Sequence, residues 1–263
     1  MTQPRDSQPT RSRLFCGVAA AALLIAACGD SADQAGDSSV SPVIDVGDVA
    51  DYHPALDPAH VADIIDNPYL PLTVGSQWEY EGTADEGVET ITVVVTGERR
   101  EVMGISAFVI RDTVKVDGQV TEDTYDWFIQ DDEGNVWYLG EDTKEYENGV
   151  VVSTAGSWEA GVAGALPGIA MPANPAVGDA YRQEYFAGEA EDMFEIVGTN
   201  RALTVRAGTF DNAITTKDWT PLSPNIIEEK WYAAGVGVVF ETHIAGAKGT
   251  IELVSFTAGV PGS

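Results

Sequence analysis

Only two cysteines occur in 263 residues, Cys16 and Cys28. Both lie near the start, so the remainder has no thiol nucleophile, no thiolate metal ligand and no disulfide. Its stability must come from packing, for which about 200 residues suffice. Histidine is nearly as scarce: His53, His60 and His243. There is no Gly-x-Ser-x-Gly elbow, no phosphate-cradling glycine loop and no zinc spacing, so those chemistries have no foothold in the sequence. Basic residues number 14 against 42 acidic ones, a formal charge of −28, and none occurs between Leu14 and Glu98. Such a surface repels nucleic acid and leaves cations or basic proteins as the fitting charged partners. Helical periodicity is absent from the main body, and no apolar run reaches the roughly 20 residues of a spanning helix.

What is present begins with a leader. Residues 1–13 are polar and carry three arginines; Leu14 to Ala27 are apolar or small. The pattern is that of a secretory signal segment. Its end, Leu24-Ile25-Ala26-Ala27-Cys28-Gly29, resembles the lipobox of bacterial lipoproteins. That resemblance implies cleavage before Cys28 and lipid on its sulfur. It also implies residence in the bacterial cell envelope, at the outer face of the cytoplasmic membrane or in the periplasm, with the membrane as partner through the anchor. Loss of residues 1–27 leaves 11 basic and 41 acidic residues, a charge of about −30. Residues 28–66 read as a flexible acidic tether with a reach of about 35 Å. Within it, Asp57 and Pro58 are placed to start a short helix running to Ile65.

From residue 67 to 256 the pattern is all-β. Val88 to Thr96 alternates, as do Ala107 to Val116 and Thr121 to Gln130. Asp117-Gly118 and Asn148-Gly149 are two-residue hairpin turns, because both positions tolerate positive φ. Val136 to Leu139 and Val150 to Ser153 continue the meander. Residues 155–178 break it: they are rich in Gly, Ala and Pro, and Glu159 is their only charge. This stretch is either a connector packed on the core or a lid over an apolar opening. Strands then resume at Tyr181 to Phe186, Met193 to Val197, Ala202 to Val205, Ala213 to Thr220, Ile226 to Tyr232, Val236 to His243 and Thr250 to Phe256.

The second half echoes the first. Trp78 corresponds to Tyr181, and Trp127-Phe128 to Trp231-Tyr232, at nearly constant spacing. The expected fold is a duplicated antiparallel meander, with repeats at about 67–154 and 174–256, forming a curved sheet, half-barrel or sandwich. Asn67-Pro68-Tyr69-Leu70-Pro71-Leu72 with Gly75 and Trp78-Glu79-Tyr80, Ala207-Gly208-Thr209-Phe210, and the run Trp231 to Val239 resemble a family of uncharacterised secreted bacterial proteins. That family implies no activity or site residues. The layout is also similar, in architecture alone, to lipoprotein carriers of the LolA and LppX type.

Candidate chemistry is sparse. Asp131, Asp132, Glu133 and Asn135 offer hard oxygen ligands at a turn, as Ca²⁺ prefers, without the distal glutamate of an EF-hand. Trp78, Tyr125, Trp127, Trp158, Tyr181, Trp231 and Tyr232 could line a ligand groove or form the core. The sequence thus points to a non-catalytic binding or interaction protein. One form carries or senses an apolar small molecule; the other is a filled-core lipoprotein meeting a cation or basic protein. A carbohydrate-active enzyme is a remote third, because so many acids offer carboxylate pairs. No resident cofactor is expected, Ca²⁺ aside.

Overall fold

The computed structural model describes residues 52–84 and 87–260. The leader, Cys28 and the tether up to residue 51 lie outside the described residues. The segment before the first strand lies against the sheet. Tyr52 donates to the Pro167 carbonyl at 2.7 Å, and Ala62 N donates to Gln130 O at 2.8 Å. Residues 52–66 are therefore bound to the domain, which corrects the tether's expected end. The expected helix is one 3₁₀ turn, Pro58–His60, with the Asp57 carboxylate accepting from Ala59 N. It stops there because Val61 pairs with Asp131 as a β-bridge.

Asn67 fixes where this segment turns. Its side chain donates to the Gly134 and Pro172 carbonyls and accepts from Tyr69 N and Leu70 N. It is 2% exposed. The Pro71 region then leads Leu72 into the core and the chain into its first strand.

Alternating Val, Ile and Thr build the strands of a first meander. They are β1 (Gln77–Ala84), β2 (Gly87–Val102), β3 (Ile105–Val116), β4 (Gln119–Gln130) and β5 (Val136–Glu147). Asp117-Gly118 and Asn148-Gly149 both take positive φ, as the hairpin turns require. Then come β6 (Val150–Ser153), β7 (Trp158–Glu159) and β8 (Leu166–Met171), all on the free edge of β5. The apolar stretch 155–178 is thus sheet and core, with Trp158, Ala165, Ile169 and Met171 buried. Its β-periodicity is hidden because its strands are only two and six residues long.

The second meander runs through β9 (Ala180–Arg182), β10 (Glu184–Tyr185), β11 (Met193–Val205), β12 (Gly208–Trp219), β13 (Ile227–Ala233), β14 (Gly237–Ala245) and β15 (Thr250–Thr257). All pairing is antiparallel, in the order β10-β8-β5-β4-β3-β2-β1-β15-β14-β13-β12-β11-β9. The registers of the two halves correspond. Val93 sits between Trp78 and Asp112, and Phe194 sits between Tyr181 and Asp218. Among the described residues no strand pair closes the path. Yet its end strands, β10 and β9, are separated in the chain by Gln183 alone. Residues 180–185 therefore touch both ends of the sheet, and the enclosed face is sealed by side chains. Phe128, Tyr138, Phe194, Ile91, Ile110 and Leu139 are each less than 2% exposed.

Candidate functional site

Strand alternation places charged residues among the core positions, and each meander holds one polar centre. In the second, Lys230 on β13 is 2% exposed. Its ammonium lies 3.5 Å from Asp218, 3.8 Å from Glu241 and 4.0 Å from Glu228. The register explains the grouping: Lys230 faces Thr216 on one side and Glu241 on the other, while Glu228 faces Asp218 and His243. His243 Nε2 is 3.0 Å from Glu228 Oε1. Gln183 Nε2 donates to Asp218 Oδ2 at 2.9 Å, and the Thr216 hydroxyl donates to Asp218 Oδ1. Asp192, Asp218 and Lys230 bound a cavity of about 10 Å³, room for about one water.

Burial pushes the Asp218 carboxyl up, against the pull of Lys230 and Thr216. Burial works to lower Lys230, but Asp218, Glu241 and Glu228 outweigh it and hold the ammonium well above its ordinary value. The centre is an internal ion network beside a cavity that holds about one water.

The first meander carries the counterpart. Asp126 faces Glu141 across β4 and β5, as Lys230 faces Glu241. The Tyr138 hydroxyl donates to Asp126 Oδ1 at 2.7 Å and lies 3.2 Å from Glu141 Oε2. Asp112 stands where Asp218 stands in the second half, next to Thr124, whose hydroxyl bonds that of Thr143.

On the opposite face of β3 and β4 lies a groove of about 300 Å³ floored by Val109, Tyr125 and Trp127. It exists because β2 bulges. Val95 pairs with Ile110 and Arg99 with Phe108, so three residues on β2 span one on β3. A bulge re-aims the side chains it lifts. Thr96 Oγ1 ties the bulge down by donating to Val109 O at 2.7 Å and accepting from Glu98 N. Glu98, Arg99 and Arg100 of β2 and Asp142 of β5 also border it. The Arg99 guanidinium lies 3.3 Å from the Phe108 ring centroid, and that of Arg100 lies 4.0 Å from the Trp127 ring. Arg100 also bonds Glu159.

Of the aromatics singled out from the sequence, Tyr125 and Trp127 share this groove. The other five are brought into separate packing roles. Trp78 donates to Val236 O and stacks on Phe256; Trp158 donates to Glu184 and meets Tyr138 edge-on. Tyr181 stacks on Phe194, Tyr232 is buried, and half-buried Trp231 donates to Glu229. The turn expected to attract Ca²⁺ is organised differently. The Asp131 carboxylate accepts from Glu133 N, Asn135 N, Asn135 Nδ2 and Trp137 Nε1. Asp132 meets His60 at 3.1 Å, and Asn135 Oδ1 accepts from Ala173 N. Among the described residues no three His, Cys, Asp or Glu side chains converge as a metal requires.

Sequence reasoning missed Lys230, Asp218, Glu241, Arg99 and Arg100. The first three carried a signal. Glu228, Lys230 and Tyr232 occupy one strand face, in phase with the core, so charges at inward positions could have been sought. The two arginines carried none, because their placement follows from a bulge.

No family model and no curated protein sequence matches the chain. Two solved structures are similar. One is from Bacteroides fragilis and is described as an exported protein with a YmcC-like fold. It aligns over 73% of this chain and 100% of its own, at 16% identity and a TM-score of 0.42. The other, described as a lipoprotein of Parabacteroides distasonis, covers 74% and 100%, at 13% identity and a TM-score of 0.40. Likeness at this level transfers no activity.

Proposed function

We propose that this chain is an extracytoplasmic, lipid-anchored protein that binds or interacts through its outer surface, without catalysis. The anchor and the envelope location are supported by the leader and by Cys28 in its lipobox-like setting. The observation that supports the rest is the packing of the enclosed face among the described residues. A carrier of apolar molecules keeps a concave apolar cavity of several hundred Å³. Here the enclosed face is occupied by Phe128, Tyr138, Phe194 and their neighbours, and stretch 155–178 is woven into the sheet. The burial of Lys230, Asp218 and Glu241 supports the same reading.

Two measurements test this reading. Native mass spectrometry of protein purified without refolding should show the chain with its covalent lipid and nothing else bound. An apolar naphthylamine probe should gain no fluorescence on mixing. A co-purified lipid at one per chain, or saturable probe binding, would restore the carrier.

A further inference from the structure

We infer that the open edge of β15 takes an extended, basic segment of another protein by strand addition. This rests on the reading that the chain binds through its outer surface.

The site lies beside the join of the two meanders. β15 pairs with β1 from Thr250 to Thr257, but with β14 only at Thr250, Ile251 and Glu252. One extra residue explains the parting. Tyr80 faces Leu253 and Glu79 faces Ser255, so Val254 is a bulge on β15, and a bulge bends the strand that carries it. Beyond it the two strands splay apart. On the β14 side the freed carbonyls are taken. Trp78 Nε1 donates to Val236 O at 2.7 Å, and the Tyr80 hydroxyl donates to Val238 O at 3.0 Å. On the β15 side, Leu253 O accepts from Ala207 N at 3.0 Å. From Val254 to Thr257 no second strand and no hydrogen bond meets that edge among the described residues.

The opening is a groove of about 370 Å³, lined by Phe210, Val236, Leu253, Val254, Ser255 and Phe256 and free of charged side chains. Val254, Ser255 and Thr257 are exposed. Folded proteins shield a free edge with lysine, proline or a covering element. Leu253-Val254-Ser255-Phe256-Thr257 has neither charge nor proline, and its β-branched and aromatic residues favour extended pairing. In strand addition the backbone bonds supply affinity and alternate side chains supply selection. Four residues at about 3.3 Å each give about 13 Å of edge. An incoming strand sets its alternate apolar side chains against Phe210 and Val236.

Charge selects the partner. Glu79 stands directly across from Ser255. Its carboxylate accepts from Gln77 Nε2 at 2.5 Å and Thr92 Oγ1 at 2.8 Å, and it forms no ion pair among the described residues. Arg206, next to Ala207, is shared by Glu81 and Glu252. Carboxylates thus outnumber cations around the groove, and a lysine or arginine on the incoming strand answers them. The chain's own residues 29–51 do not, since they hold aspartate and no lysine or arginine. A second copy brings a further charge of −28.

The test titrates the full chain into a fluorescein-labelled heptapeptide, Lys-Thr-Val-Thr-Val-Thr-Lys, and reads anisotropy. Two companion peptides carry glutamate in place of lysine, or N-methyl groups on all the central amides. The first peptide should bind in the sub-millimolar range, and the companions at least about tenfold more weakly. Val254→Lys, which sets a charge on the edge, should weaken binding about tenfold or more. Glu79→Gln should weaken it about two- to fivefold. Lys217→Gln, on β12, should leave it unchanged. No binding up to about 1 mM, equal binding of the N-methylated peptide, or a Val254→Lys protein that binds as well as the parent overturns the proposal. Equal binding of the glutamate peptide overturns the basic class. A dimer in sedimentation that Val254→Lys disperses makes a second copy the occupant and also overturns it. Circular dichroism confirms that these surface variants fold. Failure here leaves the reading of a packed interior standing, since that falls only to lipid or apolar-probe binding.

Discussion

Replacing Lys230 with methionine removes one charge from the interior and changes little else. Methionine is close in length and unbranched, so the packing loss should stay below about 1.5 kcal/mol. The electrostatic loss is larger. Asp218, Glu228 and Glu241, at 3.5, 4.0 and 3.8 Å, are left around a thioether. Removing one partner of a buried ion pair costs about 3–5 kcal/mol. For a domain of this size that lowers Tm by roughly 8–16 °C at about 4 kcal/mol. The loss should depend on pH in a definite sense. Without the ammonium, the interior carboxyls favour their protonated form in the folded chain. Groups whose folded pKa is raised contribute stability below their unfolded pKa and lose it as pH rises through the folded one. Lys230→Met should therefore be nearly tolerated at about pH 4 and most damaging at about pH 8. Adding Glu241→Gln to the variant should recover part of the loss, because it removes a charge from the same network. Urea unfolding followed by tryptophan fluorescence, at both pH values and with all four members of the cycle, measures each term. A cost below about 1 kcal/mol at pH 8, or equal costs at both pH values, would refute the ion-network reasoning.

Three further outcomes are expected. Burial raises the phenols of Tyr52, Tyr80, Tyr181 and Tyr232 above the ordinary 10.0, and Lys230 is raised above 10.5. The unfolded chain thus releases protons that the folded one keeps, and stability should fall as pH climbs past about 10, by up to about 1.4 kcal/mol per pH unit for each group. Urea unfolding at pH 8, 10 and 11 reads the fall, and a flat profile would contradict it. Asn67→Ala removes four hydrogen bonds and leaves the Gly134 and Pro172 carbonyls short of a donor. It should cost about 3 kcal/mol in chemical denaturation, and a cost within error of zero would show that the leading segment is not held there. Asp131→Ala should lower stability by about 3 kcal/mol through loss of its four N–H partners. At equal ionic strength, Ca²⁺ should leave the melting temperature of both proteins unchanged; a calcium-dependent rise in the parent that Asp131→Ala abolishes would restore the cation site.

The sequence by itself determined the strand positions and the meander. Alternation in Val88 to Thr96 and the Asp117-Gly118 and Asn148-Gly149 turns are local properties, settled by side-chain period and by which residues accept positive φ. The matching of Trp78 with Tyr181 was legible for the same reason, since both halves meet the same local demands in the same order. Tertiary structure decided what local pattern cannot express. The stretch 155–178 became sheet because the free edge of β5 was there to receive it, and Tyr52 to Asp66 were held because Gln130 and Pro167 offered partners far away in the chain. Lys230 reads as an ordinary exposed strand lysine until the register brings Asp218 and Glu241 to either side of it. Arg99 reads as surface charge until a bulge in β2 sets its guanidinium over the Phe108 ring. In each case the deciding energy is that of a long-range contact, and a linear sequence lists neighbours along the chain rather than across the sheet.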